Sequence, residues 1–509
     1  MAMKTAEASP LLRPSAWKTS VRRPLPWWAA IYLLGGALIA GIGAVLPSGN
    51  LATAATLGAC LLALPLLLVM SGESLLVLTV LALPFDTWRL WGVLSPPNFI
   101  ILIATFRLAL GVILGIRKLR PTFAYLPLTA IALSLTISTL LSPNPSVSFR
   151  LLVSVLGAIC FAVLLVNFMH VDTARERVID AVFLAGILLG GSAIVQYVAY
   201  QFGYNLWDPI GSYYVYNLGG YQLKVTGLSN VPANLATYVM PAFALGLFLW
   251  TYPMAFSRRW ALKLATVLCF LAMFLTWTRA SLLAMSLLVA GLVISRSSSR
   301  FKNPKVVVSV MLVLTLSTSL FVLPSLAQSL NSMNPSSTYA RVSIYLGAWD
   351  SFLENPLFGS GLGSMVMQDW ENVELYNLLV TQGSSSAVRD FLRVRGPRDT
   401  HSTPIQIAVS LGLTGLTVFG WLVFAMLKRG LSAYRRASHG SSMVAAVWMA
   451  TAGMAVLLLF NDGLAMKPMW MLMGLLWALA PGTGRVLGQN LSPGSAKIIS
   501  ETSGDDLVT

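Results

Sequence analysis

Of the 509 residues, 56% are hydrophobic and only 10% are charged, and the mean hydropathy is +0.74. Soluble domains carry roughly 25% charged residues, so this composition excludes a soluble globular protein and points to a chain that crosses a membrane many times. The net charge of +16 would suggest nucleic acid in a soluble protein; here it fits the excess of Lys and Arg on cytoplasmic connections, and no nucleic-acid partner is expected.

Residues 1–26 carry Lys4, Arg13, Lys18, Arg22 and Arg23 ahead of an apolar run over 27–46. That run is long for a signal-peptide core and lacks a small-residue cleavage site, so it reads as an uncleaved first span behind a cytoplasmic N-terminal segment. Further runs of spanning length follow at 51–70, 74–91, 97–116, 124–142, 149–168, 178–200, 231–251, 260–277, 280–296, 306–324, 404–427, 441–460 and 465–482. The expected fold is an all-α polytopic membrane helix bundle of about 12–14 spans. Transmembrane helices would occupy 27–324 and 404–482, the tail 483–509 reads as disordered from its composition, and an even span count places it in the cytoplasm.

Alternation assigns the orientation. Arg117-Lys118-Leu119-Arg120, Arg175/Arg177, Arg258-Arg259, Arg296 to Lys305 and Lys428 to Arg436 all fall on one side, whereas 47–50 and 142–148 hold no Lys or Arg. Tryptophans near span ends, among them Trp27, Trp88, Trp250 and Trp260, suit an aromatic belt. The cysteines Cys60, Cys160 and Cys269 lie singly in apolar runs and imply neither disulfides nor a metal cluster.

Two outer loops are long: a Tyr-rich one over 201–230 and a larger one over 325–403. Loops of the second size usually carry function. It is expected to contain short amphipathic helices; in one, Val342, Tyr345, Leu346, Trp349, Phe352 and Leu353 form an apolar stripe opposite Ser343, Gly347 and Asp350, lying on the membrane surface. The loop ends in Arg398-Asp399-Thr400-His401-Ser402-Thr403-Pro404-Ile405-Gln406, which reads as a helix start. Thr403 suits the N-cap, Pro404 the first helical position and Gln406 the partner of a capping box. His401 then stands before the positive end of a membrane helix, where orphan N–H groups favour an anion.

The residues able to carry chemistry gather around that loop. Arg279 lies in a tight outer hairpin, Thr276-Trp277-Thr278-Arg279-Ala280-Ser281, and Arg341 at the edge of the apolar stripe. Each has two roles open to it: snorkelling to the interface, or clamping phosphate with the planar guanidinium fork. An outward arginine opposes the positive-inside bias, which favours the second. Arg389, Arg393, Arg395 and Arg398 add positive charge before His401, as a glycan or diphosphate contact or as a solvated basic loop. His401 itself could serve as a general base near neutral pH, donate to phosphate, or simply be a polar loop residue. Arg107 falls mid-span, where an ionised residue is costly. There is no phosphate-binding Gly-Lys-Ser/Thr loop, no zinc spacing and no nucleotide domain, so no cofactor or metal is expected.

Three stretches in order resemble the O-antigen ligase and polymerase family of bacterial lipid-linked glycan transferases. They are Thr276 to Ser281; Ala340-Arg341 through Asn355-Pro356-Leu357-Phe358-Gly359-Ser360-Gly361; and His401 to Gln406 leading to Leu411-Gly412-Leu413-Thr414-Gly415-Leu416. The sequence departs from the family pattern at Ser402, where Asn commonly follows the histidine, and at Ser410, where an acidic residue is common. The resemblance implies a periplasmic-facing transfer of glycan from undecaprenyl diphosphate to a lipid, glycan or protein hydroxyl in the bacterial inner membrane. It also implies that Arg279 and Arg341 hold the diphosphate and that His401 is the loop's essential histidine. Ligase, polymerase and protein O-glycosylating forms share these motifs, with the ligase type favoured; a secondary anion transporter is the reading from another class.

Overall fold

The computed structural model describes residues 64–87, 95–120, 122–169, 172–204, 206, 214–217, 220–229, 231–250, 256–297, 336–363, 400–436 and 443–479. The expected spans over 27–46 and 306–324 and the tail from 483 lie outside the described residues. The chain divides into two units, Met1–Met70 and Ser71–Thr509. In the first, residues 64–69 are helical.

The second unit holds α1 (Gly72–Ala82), α2 (Pro96–Ile113), α3 (Tyr125–Leu140), α4 (Pro145–Phe168), α5 (Asp172–Gln201), α6 (Pro232–Leu249), α7 (Phe256–Leu275) and α8 (Arg279–Ser297). After these come α9 (Ser336–Glu354), α10 (Thr403–Arg436), α11 (Met443–Leu458) and α12 (Lys467–Leu479). A 3-10 turn, Leu83–Phe85, extends α1. Within the Tyr-rich loop, β1 (Tyr214–Asn217) and β2 (Gly220–Leu223) pair antiparallel, with Tyr216 opposite Tyr221. Apart from this hairpin the described fold is all helical.

Local chemistry fixes where helices begin. Proline opens α2, α4 and α6, where its missing N–H would have had no intrahelical partner anyway. Ser71 caps α1 by accepting from the Ser74 amide at 3.1 Å. Among the described residues five helices are long and apolar enough to cross a membrane: Pro96–Ile113, Pro145–Phe168, Thr173–Gln201, Pro232–Leu249 and Thr403–Ser432. Their outward faces carry exposed Leu102, Phe106, Phe149, Leu188 and Phe424, as a lipid-facing surface requires.

Between apolar helices in lipid, close backbone approach replaces hydrophobic burial as the source of cohesion. Gly186 and Gly190, one turn apart on α5, face α7: a Cβ at Gly190 would lie 2.8 Å from the Leu268 carbonyl carbon, and one at Gly186 3.0 Å from the Cys269 sulfur. Gly474 of α12 similarly lies against the Ala162 backbone of α4, where a Cβ would meet the carbonyl oxygen at 2.9 Å.

Basic residues collect at one end of this bundle. Arg120 Nη1 donates to the Ala478 carbonyl at the end of α12, and its amide to Asn167 near the end of α4. Arg117 sits over the Phe168 ring, 5.0 Å from its centroid. Arg258, near the start of α7, pairs with Asp180 at 2.5 Å and Glu176 at 3.3 Å on the first turns of α5. The charge grouping read from sequence is thus a grouping in space.

Gly190→Ala forces α7 outward and lowers thermal stability by about 1–3 kcal/mol, the usual range for overpacking. Gly191→Ala, where nothing lies within 4 Å of a new Cβ, leaves the melting temperature in detergent unchanged or raised.

Candidate functional site

At the opposite end, α10 begins with an unusual turn. His401 has φ 51°, the left-handed region that a residue with a Cβ adopts only at a cost. The Asp462 carboxylate, from the turn between α11 and α12, holds it there. Oδ2 accepts from the His401 amide at 2.9 Å, and Oδ1 from the Ser402 amide at 3.2 Å and the Thr400 hydroxyl at 2.5 Å. The Thr403 hydroxyl donates to the Asn461 carbonyl at 2.6 Å and accepts from the Gly463 amide at 2.8 Å. Asn461 Nδ2 then donates to the Ala233 carbonyl and the Thr237 hydroxyl at the start of α6.

This corrects the expected capping box. Thr403 opens α10 as its first residue and spends its hydroxyl on the 461–463 turn, while Gln406 Oε1 is buried without a hydrogen-bond partner. The anion that a helix N-terminus attracts is supplied by the chain itself, as Asp462. No short-range pattern around His401 announces a partner so far along the chain; the signal is a lone acidic residue in an outer connection between two apolar runs.

A second feature joins α10 to α9. At Gly412, with φ 66° and ψ −158°, α10 breaks, leaving amides and carbonyls without helical partners inside an apolar layer. The segment after α9 supplies them. Leu413 donates to the Pro356 carbonyl at 2.8 Å and Thr414 to that of Leu357 at 3.2 Å, while the Ser360 and Gly361 amides donate to the Val409 and Ser410 carbonyls. Serines from α3, α4 and the turn between them finish the joint. Ser138 donates to the Ser410 carbonyl, Ser142 to that of Ser360 at 3.1 Å, and Ser148 to that of Leu362 at 2.8 Å.

Glycine is obligatory at the crossing. A Cβ at Gly359 (φ 71°) would strike the Ser410 carbonyl carbon, and one at Gly412 would lie 2.6 Å from Leu357 backbone. The Asn-Pro-Leu-Phe-Gly-Ser-Gly stretch and the Leu-Gly-Leu stretch are therefore two halves of one joint. Above it, Ile344 and Ala348 of α9 pack on Val409 of α10, with Tyr345 and Ile405 alongside. Gly347 is buried as well, whereas Trp349 is 57% and Leu353 56% exposed, so these two residues of the expected stripe stay on the outer surface of the protein. The face packed on α10 is thus a second apolar face, carried by Ile344 and Ala348.

The Arg279 hairpin is a knot of hydroxyls. Thr276 donates to the Met273 carbonyl at 2.7 Å, Thr276 and Thr278 share a bond at 2.9 Å, and Thr278 and Ser281 one at 2.5 Å. Trp277 has φ 51°, so the chain reverses within the knot and Arg279 emerges as the exposed first residue of α8. The Val225 amide donates to the Leu275 carbonyl, linking the hairpin to the segment that enters α6. Arg279 and His401 therefore stand at the same end of the bundle, where α6 begins.

Arg341 lies on α9, the helix joined to α10 at Gly412. Arg389, Arg393, Arg395 and Arg398 lie outside the described residues. Arg107 is half-buried in α2. Among the described residues no group of three His, Cys, Asp or Glu side chains is arranged to hold a metal ion.

Helices of this length and composition define a multi-pass membrane protein. Residues 264–420 match the family described as O-antigen ligase, the family that the sequence motifs resemble. The matched stretch runs from α7 into α10 and contains Arg279, Arg341, His401 and both halves of the glycine joint. No curated protein matches the chain.

Asp462→Ala strips three hydrogen bonds from the His401 turn and destabilises the protein by about 1–3 kcal/mol, read as a lower melting temperature in detergent. Gly359→Ala lowers the yield of folded protein far more than Gly203→Ala. Both replace a glycine at positive φ, but only the first drives a Cβ into backbone.

Proposed function

We propose that the protein transfers a glycan from undecaprenyl diphosphate to an acceptor hydroxyl, in the manner of an O-antigen ligase, at the end of the bundle opposite its basic cluster. In this reading the basic end faces the cytoplasm of a bacterial inner membrane. The loop over 325–403 lies in the periplasm, and residues 1–26 and 483–509 are cytoplasmic. The observation that carries it is the family match over 264–420 enclosing a physically joined unit: the α9 helix of Arg341 locked to the α10 helix of His401, with the Arg279 hairpin at the same end.

The chemistry is a displacement with inversion. The acceptor oxygen attacks the anomeric carbon, the bond from that carbon to the diphosphate oxygen breaks, and the acceptor proton passes to a base. Two guanidinium groups, Arg279 and Arg341, offset the charge that grows on the departing diphosphate. One such preorganised donor is worth roughly 2.7–4 kcal/mol. Arg389, Arg393 and Arg398 would extend the positive approach for the donor. Asp462 occupies the amides at the start of α10, so a diphosphate gains nothing from them and the exposed imidazole is left to act as the base.

Reconstitution in nanodiscs with an undecaprenyl-diphosphate glycan and lipid, glycan and protein acceptors tests this. Transfer releases undecaprenyl diphosphate without ATP, and Arg279→Ala, Arg341→Ala and His401→Ala each lower kcat/KM by about 10²–10³ while the protein still folds. Solute uptake without transfer, indifferent to those substitutions, overturns the reading in favour of a transporter.

The two roles of His401 differ in sign with pH. A base must be neutral to accept the proton, so its rate falls as falling pH protonates the imidazole. A diphosphate ligand must be protonated, and its rate would fall as rising pH removes that proton.

A further inference from the structure

Close to the His401 turn lies an ion pair that the chemistry above does not use. Lys467, the first residue of α12, is 1% exposed, and its Nζ stands 2.5 Å from Asp86 Oδ1. That oxygen also accepts from the Ser95 hydroxyl at 2.6 Å, and the Tyr238 hydroxyl of α6 donates to Oδ2. The carboxylate thus ties together the turn after α1, the residue ahead of α2, the side of α6 and the start of α12. A lysine at a helix N-terminus works against the dipole, and a buried pair is often no more stabilising than apolar residues of the same size. Ionised groups inside a membrane bundle therefore call for a reason other than stability.

Position supplies the reason. Asp462, which holds the left-handed His401, lies one short turn ahead of Lys467 on the same connection. Asn461 bonds Ala233 and Thr237 of α6, and the next residue, Tyr238, bonds Asp86. The circuit closes: His401 to Asp462, along the turn to Lys467, across to Asp86, through Tyr238 to α6, and back by Asn461. Of its links, the Asp86–Lys467 pair alone joins full charges, so it resists sliding of α12 along its axis. We propose that Asp86 and Lys467 are positioning residues, an electrostatic peg that sets the height of the 461–466 turn and through Asp462 the placement of His401. The inference rests on the reading of His401 as part of the transfer site.

The test uses the full chain in nanodiscs with His170 and His439 replaced by Gln, so that ¹⁵N-histidine labelling reports on His401 alone. Asp86→Asn and Lys467→Met each lower kcat by about tenfold or more with a much smaller change in donor KM. Each also moves the His401 ring resonances in the direction seen in Asp462→Asn. The double variant Asp86→Asn/Lys467→Met, free of an orphaned charge, regains melting temperature but neither kcat nor the wild-type resonances. If the double variant regains all three together, or if a folded single variant leaves the resonances in place, the pair is merely structural and the proposal fails. Should the charge variants not fold, Tyr238→Phe removes one bond to Asp86 and no charge; a smaller displacement in the same direction supports the peg, and none overturns it. A wild-type protein that transfers no glycan would sink the proposed function, while the resonances would still decide whether the pair governs His401.

Discussion

A backbone that leaves the helix inside an apolar layer must find every hydrogen bond within the protein, because neither lipid nor water will provide one. That requirement, met at Gly412, organises the matched region. The break exposes amides and carbonyls of α10, and only another stretch of bare backbone fits close enough to serve them. The segment 356–361 does so because Pro356 and the glycines hold it out of helix and let it approach without a Cβ between. Serines 138, 142 and 148 complete the joint from two further helices and the turn between them. A helix that could have been a simple membrane rod becomes a fixed bracket for the loop on either side of it.

The same logic governs the turns that present charge. Trp277 and His401 are the non-glycine residues at positive φ among the described residues, and each immediately precedes or forms part of a proposed site. A left-handed conformation costs such a residue roughly 1–2 kcal/mol. It persists only where the surroundings over-determine it. Around Trp277 a cluster of three hydroxyls does this locally; around His401 a carboxylate reaches in from the next connection. Strain of this kind, met by dedicated bonds, is what a turn requires when the direction of one side chain matters.

Much of the architecture was legible in the sequence because its signals are local. Apolar runs of about 20 residues mark spans, and basic residues between alternate spans mark one side. Arg117, Arg120 and Arg258 duly meet at one end. What escaped was set by distant partners. The second apolar face of α9, Ile344 and Ala348, is set by Val409 of α10, a partner far along the chain. The capping box at Gln406 fails because Asp462 reaches the orphan amides first. The Lys467–Asp86 pair gives no sign of itself in the sequence, since charge complementarity between residues so far apart has no sequence period to betray it.

These long-range polar links also bear on how a glycan transferase could work with guanidinium groups and a helix-bound histidine. Electrostatic stabilisation of a departing diphosphate is effective only if the donors are already in place, because reorienting dipoles during the reaction cancels the gain. In a soluble enzyme a large hydrophobic core supplies that rigidity. Helices in lipid gain little from apolar contact with one another, so rigidity must come from close backbone approach and from hydrogen bonds. The glycine joint, the Asp462 clasp and the Asp86–Lys467 pair are of that second kind, and they lie at one end of the bundle. Their concentration there, against a lipid-facing surface of ordinary apolar side chains, indicates that this end is built to hold a fixed arrangement of charge.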